Sequence, residues 1–311
     1  MSLCAVTIGA DLKITEKGDV AIMELNGTNA WMEGFRILYG GALIAQRREF
    51  LEAERARMKN SMRWLFFHEH PAYAKALHRE NEPLGDPHNA WNPHGLSILC
   101  KDKGSQRWCI PEQYSPPHEV FRGENRGALM EFITKLQSGN GSLNGNPTLL
   151  NLSRFPYLVA KESWGTVGGE GVNMYGIHDV DEILRFAEGK EWSIVVEGFV
   201  PSRPLYHNKT NQLHEGAMRL HVDYLVDEER QTLQTLFEKS YWKLCGAPLQ
   251  SSEQFSDWCI SHSGGYVADL LQPVSSDDHK AAKEALDATM RNLLLLDPDL
   301  LNHVEHEGVL L

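Results

Sequence analysis

The chain has 311 residues, enough for one large domain or two, and its 42% apolar and 23% charged content is that of an ordinary soluble globular protein. A formal net charge of -12 excludes nonspecific binding to nucleic acid or to an anionic membrane, since both need a basic surface, and it requires any phosphate site to be a locally positive exception. The five cysteines include no C-x-x-C pair, and no apolar run approaches the roughly 18 residues of a membrane span, so free thiols and a cytoplasmic location are expected.

The first element reads as a hairpin. Two runs of alternating character flank Lys17-Gly18, and a two-residue loop in which Gly supplies the positive φ predicts the turn. Residue 16 then pairs with 19, which sets Asp11 opposite Glu24, with Asn26 on the same face and Leu12, Ile14, Ala21, Met23 and Leu25 on the other. Like charges directly opposite on a ladder destabilise it. A divalent cation relieves that repulsion, and two carboxylates with one amide suit Mg²⁺ beside phosphate oxygens. An acidic surface hairpin with solvated charges is the alternative.

Beyond the hairpin, 40–67 reads as a long helix and 68–117 as a loop-rich stretch with short strands near 96–100 and 108–110. Within that stretch His68, His70, His78, His88 and His94 match no zinc spacing and read as loop histidines. A helix is expected over 124–137 and a polar turn region over 138–147. Next comes a strand, 157–161, ending in Lys161, followed by a loop carrying Gly165, Gly168, Gly169 and Gly171. Such a loop can bring backbone N–H groups close to phosphate oxygens, although it is neither a Rossmann fingerprint nor a Walker A motif. The remaining expectations are a helix over 180–188, strands over 193–200 and 217–226, a helix from 228 to about 245, a simple turn at 261–265 and a final helix over 278–296. That last helix is opened by the capping run Ser275-Ser276-Asp277-Asp278. On the 217–226 strand, Arg219, His221 and Asp223 share one face, for which a buried salt bridge is the structural alternative to a functional one.

Taken together, the strand ending in Lys161, the glycine loop, the helix, the strand ending Glu197-Gly-Phe-Val200, and the pair of patterns Asp11 and Glu24-x-Asn26 resemble the ATP-grasp superfamily. The resemblance implies an α+β fold in which two α+β subdomains enclose a nucleotide. It implies that Lys161 contacts the α and β phosphates, that the amides of Gly165, Gly168, Gly169 and Gly171 close over them, and that Glu197 and Val200 present backbone groups to adenine. Asp11, Glu24 and Asn26 would hold Mg²⁺, and Arg219 would lie near the reacting phosphoryl group. Arg126 stands where the family carries an earlier phosphate-binding Lys, and Gly9 stands where many members have another Arg.

In that family the metal-binding strands follow the nucleotide strands, whereas here they come first, so the resemblance implies a circular permutation. The expected division is 1–40 for the metal-binding strands, 41–120 for a substrate or accessory region, 121–200 for the glycine-loop subdomain, and 201–311 for the rest of the metal-binding subdomain. The implied activity is an ATP- and Mg²⁺-dependent ligase, with Arg219 and Lys161 as catalytic residues. It activates a small-molecule or peptide carboxylate as an acylphosphate for attack by an amine or thiol acceptor. A kinase on the same fold and a non-catalytic nucleotide-binding module are the alternatives, and no nucleic acid or membrane partner is expected.

Overall fold

Period-two burial along two long strands organises the molecule. The computed structural model describes residues 3–26, 32–42, 45, 49, 100, 102–121, 125–139, 141–164, 171–188, 190, 193–227, 230–250 and 270–295. Strands β1 (Leu3–Ile14), β2 (Val20–Asn26), β7 (Leu205–His207), β8 (Gln212–Asp227), β9 (Thr232–Pro248) and β10 (Leu271–Pro273) form an antiparallel sheet. Their order is β10-β9-β8-β1-β2, with β7 also pairing β8. One face is apolar, carrying Val6, Ile8, Ala10 and Leu12 of β1 and Met218, Leu220, Val222 and Tyr224 of β8. The last helix, Ser276–Leu295, covers that face with a stripe at helical spacing, Ala282, Ala285, Leu286, Met290 and Leu293. Its first turn is capped by Ser275, whose Oγ accepts the Asp278 N–H at 3.2 Å.

A second antiparallel sheet has the order β3-β6-β4-β5, with β3 His118–Phe121, β4 Tyr157–Glu162, β5 Val172–Gly176 and β6 Ile194–Gly198. Leu158, Ala160, Ile194 and Val196 point to one side, where the helices Arg126–Ser138 and Val180–Ala187 bury Phe132, Ile133 and Ile183 against them. The fold is therefore α+β, two antiparallel sheets each helix-covered on one face. The α-helices referred to below are, in chain order, α1 (Met32–Tyr39), α2 (Lys103–Gln106), α3 (Arg126–Ser138), α4 (Val180–Ala187) and α5 (Ser276–Leu295). Among the described residues no helix is long and apolar enough to cross a membrane.

The hairpin forms with a different turn. Thr15 N–H donates to Asp19 O at 2.9 Å and Gly18 N–H, at φ +88, to Thr15 O at 3.0 Å, so Lys17-Gly18 is not a two-residue loop and Ile14 pairs with Val20. A bulge between Asp11 and Leu12 then inserts Met23 and restores the pairs Asp11–Glu24 and Gly9–Asn26. Two departures cancel, leaving the acidic pair in place. The apolar side changes, since Val20, Ile22 and Leu25 enter the main core, whereas Ala21 packs with Leu149 and Val200, and Met23 against that group.

The helix expected from 228 to 245 is instead strand β9, paired along β8 from Asp227–Thr232 to His214–Pro248. Its inner half alternates, Trp242 and Leu244 entering the main core and Tyr241 packing with Phe35 and Leu271 on the other side, so tertiary pairing overrides the local helical reading. The strand expected at 108–110 is a turn continuing α2, with Trp108 N–H on Ser105 O and Ile110 N–H on Gln106 O. Strand β5 and helix α1 were not anticipated. The former pairs antiparallel with β4, Lys161 standing opposite Val172. Gly40, at φ +84, closes α1 by donating to Arg36 O at 3.0 Å. Most of the expected 40–67 helix, the five loop histidines, the 96–99 strand and the 261–265 turn lie outside the described residues. Cys100, Cys109 and Cys245 are buried, and burial pushes the Cys109 thiol up to about 12.

Candidate functional site

The site is built around an edge strand. On the face of the larger sheet away from α5, β1 carries Asp11 directly between Glu24 on β2 and Arg219 on β8. Arg219 forks onto the carboxylate, Nε donating to Oδ1 at 2.7 Å and its second nitrogen to Oδ2, and Lys243 reaches over from β9 to donate to Oδ1 at 2.9 Å. Burial alone would push the Asp11 carboxyl up, but the adjacent Arg219 and Lys243 outweigh it and hold the group well below the usual carboxylate range. Burial and the neighbouring Arg219 lower the Lys243 ammonium, with Asp11 opposing them.

Among the described residues no strand pairs with the far side of β2, and an edge strand leaves backbone groups that need partners. Here they are met by side chains. Gln106 clasps Leu25 in both directions, its Oε1 accepting Leu25 N–H at 2.8 Å and its Nε2 donating to Leu25 O at 3.1 Å. Arg107 donates to Ile22 O and to Met23 O, each at 3.0 Å, and Lys161 Nζ donates to Met23 O at 3.1 Å. The bulge that re-registers Asp11 and Glu24 thus also supplies the carbonyl that ties the second sheet to the first.

Lys161 and Glu197 are diagonal neighbours on the non-helical face of the smaller sheet, with His118 opposite Glu197. Glu197, at 0% exposure, sits between Lys161 Nζ at 2.7 Å and the Arg107 guanidinium. His118 is buried with its Nδ1 3.0 Å from Pro116 O; burial, helped by Arg107 and Lys161, lowers it to about 4. Short helix α2 hangs from Asp102, whose carboxylate accepts Gly104 N–H at 3.0 Å and the Ser105 hydroxyl at 2.5 Å while burial pushes its own pKa up to about 6. Lys103 N–H donates to Ser163 O at 2.8 Å, which docks α2 on the end of β4 at the lip of the glycine loop and puts Lys103 Nζ 3.9 Å from Glu24.

Five cations, Lys103, Arg107, Lys161, Arg219 and Lys243, therefore face three carboxylates, Asp11, Glu24 and Glu197. Glu24 lies in the field of Arg107, Arg219 and Lys243 as well as Lys103, and its side chain keeps 31% exposure. On the same face as Lys161, an apolar wall of Phe155, Val159, Val172 and Phe199 packs with Tyr157 and Met174. Lys13 Nζ stands 4.1 Å over the Phe199 ring and binds Glu215 at 2.6 Å; Glu215 also accepts Ser202 N–H at 2.7 Å, which fixes the segment following β6 to the larger sheet.

The structure thus brings Asp11, Glu24, Asn26, Arg219, Lys161 and Glu197 to one junction. The backbone of Glu197 is engaged in a central strand, paired with His118 and Val159, and its side chain is the buried counter-ion. Val200 is fully buried against Ala21 and Leu149. Gly171, at φ +68, accepts Glu162 N–H at 2.8 Å at the root of the loop, while Gly165, Gly168 and Gly169 lie outside the described residues. Arg126 opens α3 on the helical side of the smaller sheet, where its exposed guanidinium pairs with Asp181; it is not among the side chains that meet at β2.

Sequence reasoning missed Lys103, Gln106, Arg107, His118 and Lys243. Lys243 was hidden by the helical reading of its segment, in which its alternation with Trp242 carries no facial information. For the 103–107 turn only its basic and polar character inside a loop-rich stretch gave a signal.

Among the described residues no group of three His, Cys, Asp or Glu side chains is placed to hold a metal ion. The Asp11, Glu24 and Asn26 set differs in counting an amide as its third donor. The Asn26 side-chain nitrogen is buried without a hydrogen-bond partner among the described residues, and a half-turn of the amide presents its oxygen to the same space. Two carboxylates and an amide oxygen are the hard donors Mg²⁺ prefers. No protein-family model matches the chain, and no match was found among curated proteins.

Proposed function

We propose that this chain is an ATP- and Mg²⁺-dependent enzyme of the ATP-grasp type, permuted so that its metal-binding hairpin comes first, and that it activates a carboxylate for attack by an amine or thiol. The observation that carries the reading is the cation-rich junction at β2. Two sheets contribute buried Lys and Arg side chains around Glu24, next to an apolar wall and the root of a glycine-rich hairpin loop. A nucleotide is a polyanion with a flat apolar base, and the cationic and apolar groups gathered here match the character of its two halves.

In this reading Lys161 and Arg107 take the nucleotide phosphates and the wall at Val159, Val172 and Phe199 takes the base. Asp11, Glu24 and Asn26 hold Mg²⁺, which when bound neutralises charge on the phosphate oxygens. Arg219 faces the phosphoryl group as it leaves ADP for the substrate carboxylate, and the acylphosphate so formed releases phosphate when the acceptor nitrogen or sulfur attacks. The protein's contribution is positioning and preformed positive potential rather than a covalent nucleophile.

A thermal-shift series tests the binding half. At about 100 times its Kd, Mg-ATP stabilises the native state by about 2.7 kcal/mol through mass action, and no shift with Mg-ATP at millimolar concentration overturns the assignment. A phosphate-release screen over carboxylic acids paired with amines, repeated with Lys161→Met, tests the chemistry. Release that needs both substrates and vanishes in the variant supports the ligase; release that needs only a hydroxyl compound points to a kinase instead.

A further inference from the structure

Asp11 occupies an unusual position for a metal ligand. Three hydrogen bonds from two cations, Arg219 and Lys243, engage both of its oxygens, and the two cations come from neighbouring strands of the same rigid sheet. A carboxylate so held has little left to offer a cation. Equally, Arg219 and Lys243 spend their positive charge on Asp11 and offer less to an anion.

We propose that Asp11, Arg219 and Lys243 form an exchange latch in which a divalent cation and a polyphosphate open the site for each other, with Lys243 as a phosphate ligand held in reserve. The proposal rests on the nucleotide reading above. When the divalent cation takes Asp11, it draws the carboxylate away from Arg219 and Lys243, whose donors turn to the phosphate oxygens; when phosphate takes those donors, the Asp11 oxygens are released to the metal. No charge is left unpaired in either state, and that is what makes the swap feasible in a buried setting where an uncompensated ion is costly. The coupling is reciprocal by thermodynamic necessity. Glu24, with part of its side chain exposed, remains the entry point for the cation.

The latch makes two predictions that run against ordinary expectation. Lys243→Met removes one clamp from Asp11, so Mn²⁺ alone should bind the variant about tenfold more tightly than the wild type, while metal-free tripolyphosphate binds it more weakly. Asp11→Asn removes the anion the clamps hold, so metal-free tripolyphosphate should bind about tenfold more tightly although the metal site is damaged. Both are read by calorimetric titration of the full chain, with circular dichroism as the check on folding, and the two variants are independent should one fail to fold. Mn²⁺ binding to Lys243→Met no tighter than to wild type, or tripolyphosphate binding to Asp11→Asn no tighter than to wild type, overturns the latch. Failure of wild-type protein to bind Mg-ATP at all overturns the nucleotide reading instead, so the two failures are told apart.

Discussion

Glu197 has no exposed surface and its charge is balanced by Lys161 and Arg107, so the three side chains stand or fall together. Removing one partner of such a buried set leaves the others uncompensated. Glu197→Gln should therefore cost about 3–5 kcal/mol in urea unfolding, and a loss under about 1 kcal/mol would show that the cations are satisfied elsewhere. His118 gives a pH signature. Burial, with Arg107 and Lys161 nearby, lowers it from 6.5 to about 4, so the fold keeps the ring neutral; its contribution is present above pH 6.5 and is lost as pH falls toward 4. Asp102, raised from 3.8 to about 6, acts in the opposite sense, its contribution being complete below 3.8 and lost as pH rises through 6. The difference between wild type and His118→Asn isolates the histidine. Between about pH 7 and about pH 5 the wild type should lose about 2 kcal/mol more than the variant, measured by denaturant midpoints.

At the scale of elements, the edge of β2 depends on the turn that carries Gln106 and Arg107. Gln106→Ala deletes both bonds to Leu25, leaving a buried donor and acceptor unmet, and should cost about 1–3 kcal/mol. Hydrogen exchange at the Leu25 amide should accelerate specifically, and unchanged protection there would show that the edge is held some other way. Helix α1 docks through a close approach at Gly34, where an added Cβ would run into the Tyr241 ring, itself packed edge-on against Phe35 at 4.9 Å. Gly34→Ala should lower stability by about 1–3 kcal/mol and change the near-ultraviolet signal of Tyr241, whereas a neutral effect would mean that α1 moves without cost. Elements also show how far local reading reaches. Alternation was enough to place Asp11, Glu24 and Asn26 on one face, even though the turn was wrong, because the bulge at Met23 compensated the slip. It was not enough for β9, whose composition suits a helix and whose extended form depends on β8 alongside it.

Across the whole molecule, the two sheets meet through β2 and the ion pairs of Glu197 rather than through a broad apolar interface alone. Urea unfolding followed by tryptophan fluorescence and by far-ultraviolet dichroism should coincide in the wild type and separate in Arg107→Met, which removes the Arg107 bonds to Ile22 O and Met23 O and its pairing with Glu197. Coincident transitions in the variant would show that the Lys161 bond to Met23 O and the apolar contacts of Ala21, Leu149 and Val200 suffice.

The sequence by itself determined the pieces whose signal is local: the acidic pair across a hairpin, the strand that carries Lys161, and the capped final helix. Side-chain alternation and capping act over a few residues, so a few residues reveal them. Only the tertiary structure decided that β9 is a strand, that Lys243 clamps Asp11, and that the 103–107 turn closes the edge of β2. Those facts arise from pairings between segments far apart in the chain, where each partner's choice is set by the other's backbone groups and charge.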